Sequence, residues 1–257
     1  MNSAAIALRQ VEFEQKSFWR NPAAAFFAFL FPIIFLVIFA TLFQGSIVKI
    51  GSKLVHFDDY YIPALVAFGV MGACFTNIAM SMSARRDTGI LKRVRGTPLP
   101  PWAFVAGVIG SSIVVSIVLA LLTTGFGILA YSVHVPEHIG AAAVTIGVGA
   151  LSFCALGMAM TIVIPNADAA PAIVNGVLFP IVFISGTFFV VPPESIPAKI
   201  AQVFPVRHFI NALFTAFDPA HQSASGFNGT DLLIMAAWGV AGVVIATRRF
   251  RWEPRKS

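Results

Sequence analysis

Residues 85–102, RRDTGILKRVRGTPLPPW, separate two apolar runs that are each long enough to cross a membrane. The stretch holds five of the chain's 17 Lys and Arg residues. The whole chain of 257 residues is 58% hydrophobic and 11% charged, with a mean hydropathy of +0.85. Soluble domains are about half apolar and about a quarter charged. The composition therefore predicts an integral membrane protein.

Uncharged runs of about 17 to 25 residues predict the membrane spans, because a helix of that length crosses the hydrocarbon core. Six such runs are present, at about residues 23–44, 60–82, 102–131, 138–164, 169–191 and 229–247. The third run is longer than one straight crossing requires, which favours a tilted helix. We expect an all-α integral membrane fold with six transmembrane helices in a single domain, 1–257.

The basic residues predict the orientation of these spans. With a cytoplasmic N-terminus, 13 of the 17 Lys and Arg residues lie on the inner side, and only Lys49, Lys53, Lys199 and Arg207 lie outside. The positive-inside rule then places both termini in the cytoplasm, including a basic tail at 248–257, and we expect a plasma membrane location. The net charge of +6 reports this topology, so no nucleic-acid partner is expected.

The N-terminal residues 3–20 form an amphipathic pattern. Leu8, Val11, Phe18 and Trp19 recur on one side at helical spacing, whereas Glu14 does not fit the pattern. The pattern predicts an interfacial helix within residues 1–22, lying along the inner leaflet. The alternative is an exposed leader that only sets the topology.

A second short helix is predicted inside the basic segment 85–98. Ile90, Leu91 and Val94 give it a small apolar face, and Gly96 and Pro98 end it. An apolar face among basic residues suggests docking to a cytoplasmic partner. A basic loop that sets topology or binds anionic lipid is the alternative.

Two motifs carry a resemblance to a known family. The first is the run Asp87-Thr88-Gly89-Ile90-Leu91 followed by Thr97-Pro98, and the second lies in residues 183–214, FISGTFFVVPPESIPAKIAQVFPVRHFINALF. In their order and spacing they resemble the permeases of ABC-2 type transporters, in which the triplet after the acidic residue usually reads Gly-Thr-Leu.

The resemblance implies a fold and partners. The segment between spans two and three would be a coupling helix that sits on an ATP-binding subunit, with the N-terminal helix beside it. The implied coupling residues are Arg86, Asp87, Ile90, Leu91, Arg93, Val94 and Thr97. The outer loop 192–228 would form short re-entrant helices that close the pathway, with Pro205, Arg207 and His208 as gate residues. Two permeases would work with two ATP-binding subunits, which would hold ATP and Mg, while this chain would bind no cofactor.

The spans themselves favour an external energy source. None of the six has an Asp, Glu, Lys or Arg near its middle, where ion-driven carriers place functional charges. The chain also lacks the glycine-rich lysine loop that binds ATP phosphates. A separate ATPase subunit is therefore expected, and catalysis by this chain is not. The alternative is a secondary carrier or a membrane scaffold without an ATPase.

Aromatic and amide residues indicate a substrate pathway. In the first span Phe27, Phe31, Phe35, Phe39 and Phe43 recur at every fourth position. The resemblance places the first, second and fifth helices around a cavity at the dimer interface. The predicted pathway residues are Phe27, Phe31, Phe35, Asn77, Asn175, Phe179 and Phe183. Lipid contact or helix packing is the alternative role of the Phe residues.

Aromatic faces with occasional amides suit a small amphiphilic substrate. We therefore expect a permease subunit that exports a drug-like or lipid-like molecule, surrounded by membrane lipid. The alternative within the same superfamily is a polysaccharide or glycolipid exporter.

Overall fold

The computed structural model describes residues 3–43, 45–50, 53–131, 133–192, 194–218 and 223–250. Its described part is predominantly α-helical, which confirms the predicted all-α class. The helices are α1 Ser3–Trp19, α2 Pro22–Leu42, α3 Phe57–Met71, α4 Asn77–Asp87, α5 Ile90–Arg95, α6 Pro101–Tyr131, α7 Ile139–Met160, α8 Ala170–Ile184, α9 Ile196–Ala201, α10 Pro205–Phe217 and α11 Gly229–Arg249. A π-helical turn, Gly72–Thr76, joins α3 to α4, so that residues 57–87 form one continuous helical run.

Four helices of the described part are long and apolar enough to cross a membrane: Asp59–Asp87, Pro101–Tyr131, Ile139–Met160 and Gly229–Arg249. They coincide with the second, third, fourth and sixth predicted spans. Two shorter apolar helices, Ala28–Leu42 and Ala170–Ile184, lie in the first and fifth predicted runs. α8 ends before the predicted boundary at 191 because the chain turns at Gly186, whose φ is +87°. The predicted total of six spans therefore stays a prediction.

A short β-hairpin, which the sequence analysis does not predict, follows α2. Strand β1, Ile47–Ile50, pairs antiparallel with β2, Lys53–His56, and Ile47 lies opposite His56. The amide of Phe57 donates to the carbonyl of Ser46 at 3.0 Å. This hydrogen bond ties the base of the hairpin to the start of α3.

The central helical run 57–87 organises the core. Tyr61, Ile62 and Leu65 of α3 are fully buried, and the helix packs between α2, α6 and α10. α7 approaches the π-helical turn through Gly157, where a Cβ atom would lie only 2.7 Å from the carbonyl oxygen of Phe75. The backbones of α7 and the central run are therefore in direct contact.

The N-terminal helix α1 packs along one end of α6. A Cβ atom at Gly110 of α6 would lie 2.6 Å from Cγ2 of Val11, so this contact needs glycine. Val11 and Phe18 are partly buried, but Leu8 and Trp19 are 69% and 52% exposed. Two residues of the predicted apolar side of α1 thus pack against the protein, and the other two are exposed at its surface. The location of α1 along the inner leaflet stays a prediction.

Candidate functional site

A half-open cavity of about 500 Å³ lies between α1, α2, α6, α8 and the central helical run. Four predicted pathway residues line it together, namely Phe31, Asn77, Asn175 and Phe179. Its other aromatic and hydroxyl groups, Phe18, Phe68 and Thr76, were not predicted as pathway residues. The cavity therefore combines aromatic faces with two amides and one hydroxyl.

The π-helical turn shapes the polar side of this cavity. Gly72, at its start, lines the cavity, and a Cβ atom there would meet no atom within 4 Å. Thr76 ends the turn and Asn77 follows it, with an exposed side chain. Within the described residues, the side chains of Asn77 and Asn175 form no hydrogen bond with the protein. Both amides are thus available to a bound molecule.

Two other predicted pathway residues, Phe35 and Phe183, do not line this cavity. Phe35 packs instead against Phe188, with ring centroids 5.3 Å apart, and Phe183 contacts the same ring at 5.0 Å. Phe31, Phe35, Phe39 and Phe43 form a continuous row of ring contacts at 4.7 to 6.1 Å. The side chain of Phe27 lies outside the described residues. Much of the Phe stripe therefore packs within the protein.

The predicted coupling segment forms a tight turn after α4. Gly89 adopts a φ of +73°, which favours glycine, and α5 begins at the next residue. Ile90 is 42% exposed, Val94 is partly buried, and Arg93 and Thr97 are exposed. Leu91, in contrast, is fully buried. The expectation that Leu91 contributes to an exposed docking face is wrong, because its side chain fills the core.

Arg86 and Asp87 also have contacts within the protein. The guanidinium of Arg86 is 2% exposed and donates to the carbonyls of Thr161 and Ile164, both at 2.8 Å. Asp87 accepts a hydrogen bond from the backbone amide of Ala167. The burial of Arg86 excludes it from direct docking. Both side chains attach the end of α4 to the connection between α7 and α8.

An ion pair that the sequence analysis missed joins α1 to the same region. Arg85 donates two hydrogen bonds to the carboxylate of Glu14, at 2.8 and 2.5 Å. Glu14 is only 5% exposed, and the guanidinium of Arg85 lies 5.6 Å from the ring centroid of Phe104 on α6. The poor fit of Glu14 to the amphipathic pattern was the only sequence signal of this contact.

The predicted gate residue Arg207 contacts the turn that ends α8, together with Tyr60, which was not predicted as a gate residue. Arg207 donates to the carbonyl of Ser185 at 2.9 Å, and the hydroxyl of Tyr60 donates to the carbonyl of Gly186 at 2.9 Å. Both hydrogen bonds hold the turn that ends α8. Pro205 is the first residue of α10, where its missing amide hydrogen costs no helical hydrogen bond.

His208 lies between two oxygen acceptors. Its Nδ1 is 2.5 Å from a carboxylate oxygen of Asp231, and its Nε2 is 2.8 Å from the carbonyl oxygen of Gln202. Both ring nitrogens therefore face an oxygen atom that can accept a hydrogen bond. His208 thereby connects α10 to the start of α11.

One cluster in the described part could offer ligands to a cation. Oxygen and nitrogen atoms of Glu137, His138 and Asp218 lie within 4.8 Å of one another, at the start of α7 and the end of α10. The sequence analysis did not identify this cluster. Asp218 is buried and accepts a hydrogen bond from the amide of Ser223 at 2.7 Å.

These features define a multi-pass membrane protein, in which two of the long apolar helices line a half-open cavity. A comparison with known protein families matches residues 9–217 to the ABC-2 type transporter family. The chain belongs to this family, as the two sequence motifs predicted. No curated protein matches the chain. Membership identifies the chain as the permease component rather than the ATPase, and it implies ATP-binding partner subunits.

Proposed function

We propose that the chain is the permease subunit of an ATP-binding cassette exporter that moves a drug-like or lipid-like amphiphile outward. One observation carries the proposal: the continuous helical run 57–87 lines the cavity with Thr76 and Asn77 and ends in the basic segment after Arg86. A movement of the basic segment would therefore be transmitted to the cavity wall by this one helical run.

The cavity favours an amphiphile over the alternative cargoes. Its size of about 500 Å³ is that of a site for a drug-sized ligand. A polysaccharide exporter needs a wide and continuous passage. No lining residue in the described part is ionisable, whereas ion-driven carriers place charged groups at their substrate sites. An exporter of small amphiphiles therefore fits better than a glycan exporter or a secondary carrier.

The proposed assembly contains a second permease, identical or homologous, and two ATP-binding subunits that hold ATP and Mg. Phe31 on α2 and Phe179 and Phe183 on α8 are 43%, 37% and 50% exposed, and we assign this face to the second permease. The complex would lie in the plasma membrane with both termini of the chain in the cytoplasm, in agreement with the positive-inside rule.

In the proposed coupling step, the ATP-binding subunit contacts three exposed residues of the coupling segment, Ile90, Arg93 and Thr97. It also contacts the exposed part of the Val94 side chain. Arg86 and Asp87 would pass the movement to the start of α8. A tilt of α8 would then break the hydrogen bond between Arg207 and Ser185 and open the gate beside Pro205 and His208.

The cavity is tested by filling it. Gly72→Leu adds a side chain to the cavity, whereas Gly140→Leu adds one at an open position of α7 that does not line it. Each variant is co-expressed with its ATP-binding subunit, and ATP-dependent uptake of a fluorescent lipophilic amine and a short-chain fluorescent phospholipid is measured in inverted vesicles. We expect Gly72→Leu to abolish uptake while ATP hydrolysis persists, and Gly140→Leu to transport normally. Normal uptake by Gly72→Leu would contradict the proposed pathway.

The docking surface is tested separately. Ile90→Asp places a charge on the exposed face of α5, and the control Ile196→Asp places one at a 74% exposed position at the start of α9. We expect Ile90→Asp alone to reduce co-purification of the ATP-binding subunit. Equal recovery of that subunit with both variants would exclude α5 as the contact.

A further inference from the structure

The walls of the half-open cavity carry no positive charge. No Lys, Arg or His is present among its described lining residues, so nothing on these walls neutralises a phosphate or a carboxylate. Four phenyl rings line it instead, from Phe18, Phe31, Phe68 and Phe179. The face of such a ring carries partial negative charge and attracts cations. The lining therefore favours a cationic molecule over an anionic one.

A proline in α2 leaves a backbone acceptor at this cavity. Pro32 lies inside the helix and has no amide hydrogen, so the carbonyl of Ala28, four residues earlier, lacks its helical donor. That carbonyl points along the helix toward Pro32, and both residues line the cavity. The oxygen of Ala28 therefore requires a donor from outside α2, and a bound molecule can supply it.

Side chains on two other helical segments add acceptors. Asn77 follows the π-helical turn in the central run, and Asn175 lies on α8. Both amide oxygens are available to accept hydrogen bonds from a bound molecule, and Thr76 adds a hydroxyl oxygen. Acceptor oxygens therefore reach the cavity from α2, from the central run and from α8.

The rest of the lining suits hydrocarbon. Leu119 on α6 and Leu178 on α8 are buried at the cavity wall, beside the aromatic rings. The opening of the cavity lets a charged group keep part of its hydration, which lowers the cost of taking the charge out of water. A molecule with an apolar body and one ammonium group matches both parts of this lining.

We propose that the transported amphiphile is a lipophilic primary amine, bound as its ammonium ion by the carbonyl of Ala28 and the amide oxygens of Asn77 and Asn175. This inference rests on the proposed export function and narrows its substrate class. A primary ammonium has three N–H donors, one for each of these acceptors, and the rings of Phe31 and Phe179 attract its charge. A phospholipid would bring its phosphate against walls that hold no cation.

The test compares three fluorescent probes with one apolar skeleton: a primary amine, its N-acetyl derivative and its trimethylammonium derivative. Acetylation removes the charge, whereas trimethylation keeps the charge and removes every N–H donor. The chain is co-expressed with its ATP-binding subunit, and ATP-dependent uptake is measured in inverted vesicles. We expect uptake of the amine to exceed that of the acetylated probe about tenfold, with the trimethylated probe between them.

Pro32→Ala tests the carbonyl of Ala28 directly, because the new amide hydrogen restores its helical partner. This variant should lower uptake of the amine about tenfold relative to the trimethylated probe. The control Pro180→Ala restores a hydrogen bond to the carbonyl of Gly176, which does not line the cavity, and it should leave uptake of both probes unchanged. Asn77→Leu keeps the volume of the side chain and should show the same loss as Pro32→Ala.

The amine assignment and the export function fail in different ways. Uptake of the acetylated probe at the rate of the amine would overturn the amine assignment and leave the export function standing, as would transport of a short-chain fluorescent phospholipid in place of the amine. Equal uptake ratios in Pro32→Ala and Pro180→Ala would also overturn the assignment. Uptake of none of the four probes would contradict the export function itself. Folding of every variant is checked by its elution as a single species in size-exclusion chromatography.

Discussion

The buried ion pair between Glu14 and Arg85 provides a direct test of how α1 is held. Glu14→Gln preserves the shape of the side chain and removes its charge. Glu14 is 5% exposed and Arg85 is 22% exposed, so solvent has little access to the pair. In Glu14→Gln the guanidinium of Arg85 therefore loses its bidentate carboxylate partner at a site where water replaces it poorly. Breaking a fully buried pair costs about 3–5 kcal/mol, and the partial exposure of Arg85 lowers our expectation to about 2 kcal/mol. At about 2–4 °C per kcal/mol for a chain near this size, the melting temperature should fall by about 4–8 °C.

The matched control is Glu12→Gln on the same helix. Glu12 pairs with Lys16 at 2.7 Å, but both side chains are more than 60% exposed, so the melting temperature should not change measurably. The Lys16 ammonium lowers the pKa of Glu12, and solvent screens this interaction at the surface.

Thermal unfolding of the purified protein is followed in detergent by intrinsic Trp fluorescence. A double-mutant cycle with Arg85→Gln isolates the energy of the pair from other effects of each change, and we expect a coupling energy of about 1–2 kcal/mol. Equal melting temperatures for Glu14→Gln and Glu12→Gln, or a coupling energy near zero, would refute the conclusion that this pair fastens α1 to α4.

Two further changes test other contacts by the same melting assay. Gly157→Ala should lower the stability by about 1–3 kcal/mol, because its Cβ atom would press on the carbonyl of Phe75. The control Gly147→Ala should be neutral or stabilising, since a Cβ atom there meets no other atom within 4 Å. Equal effects of the two variants would show that α7 does not need glycine at the π-helical turn. His208→Phe should lower the stability by about 2 kcal/mol, since it removes the donor to one oxygen of the buried Asp231 carboxylate, while Asn228 still donates to the other oxygen. The control His134→Phe changes a ring that is 75% exposed, and a loss as large as that for His208→Phe would argue against the buried pair.

The four helices long enough to cross a membrane were predictable because hydrophobic length alone defines them. The charges from Arg85 onward also marked where the chain leaves the apolar run. The shorter α8 was predicted less well, since a turn at Gly186 interrupts an apolar stretch whose composition does not change there. The short hairpin left no clear signal, because four residues per strand give little periodicity.

The inward or outward direction of individual side chains was less predictable in the coupling segment. α5 has only six residues, so periodicity could not distinguish buried Leu91 from exposed Ile90. The burial of Arg86 depends on carbonyls at the end of α7, about 75 residues further along the chain. Such acceptors become apparent only when the tertiary structure brings the two segments together.

The candidate cavity was predicted in part. Phe31, Asn77, Asn175 and Phe179 converge as expected, since two short apolar helices and the central run bring them together. Phe35 does not line the cavity, because its ring packs against Phe188, which comes from the segment after α8. A helical wheel places residues on a face, but it does not specify which neighbour covers that face.

The π-helical turn at Gly72–Thr76 has a consequence for how this chain tolerates changes in length. A π-helical turn holds one residue more than the α-helical turn that it replaces, and the helix on its far side keeps its orientation. Removing one residue of the turn would therefore allow the run 57–87 to continue as a regular α-helix, with Asn77 and Arg86 still facing nearly the same way. The same deletion in the regular part of α4 would rotate every residue beyond it by about 100° around the helix axis, and Arg86 would turn away from the carbonyls that it binds. The place where a residue is lost thus matters more in this run than the loss itself.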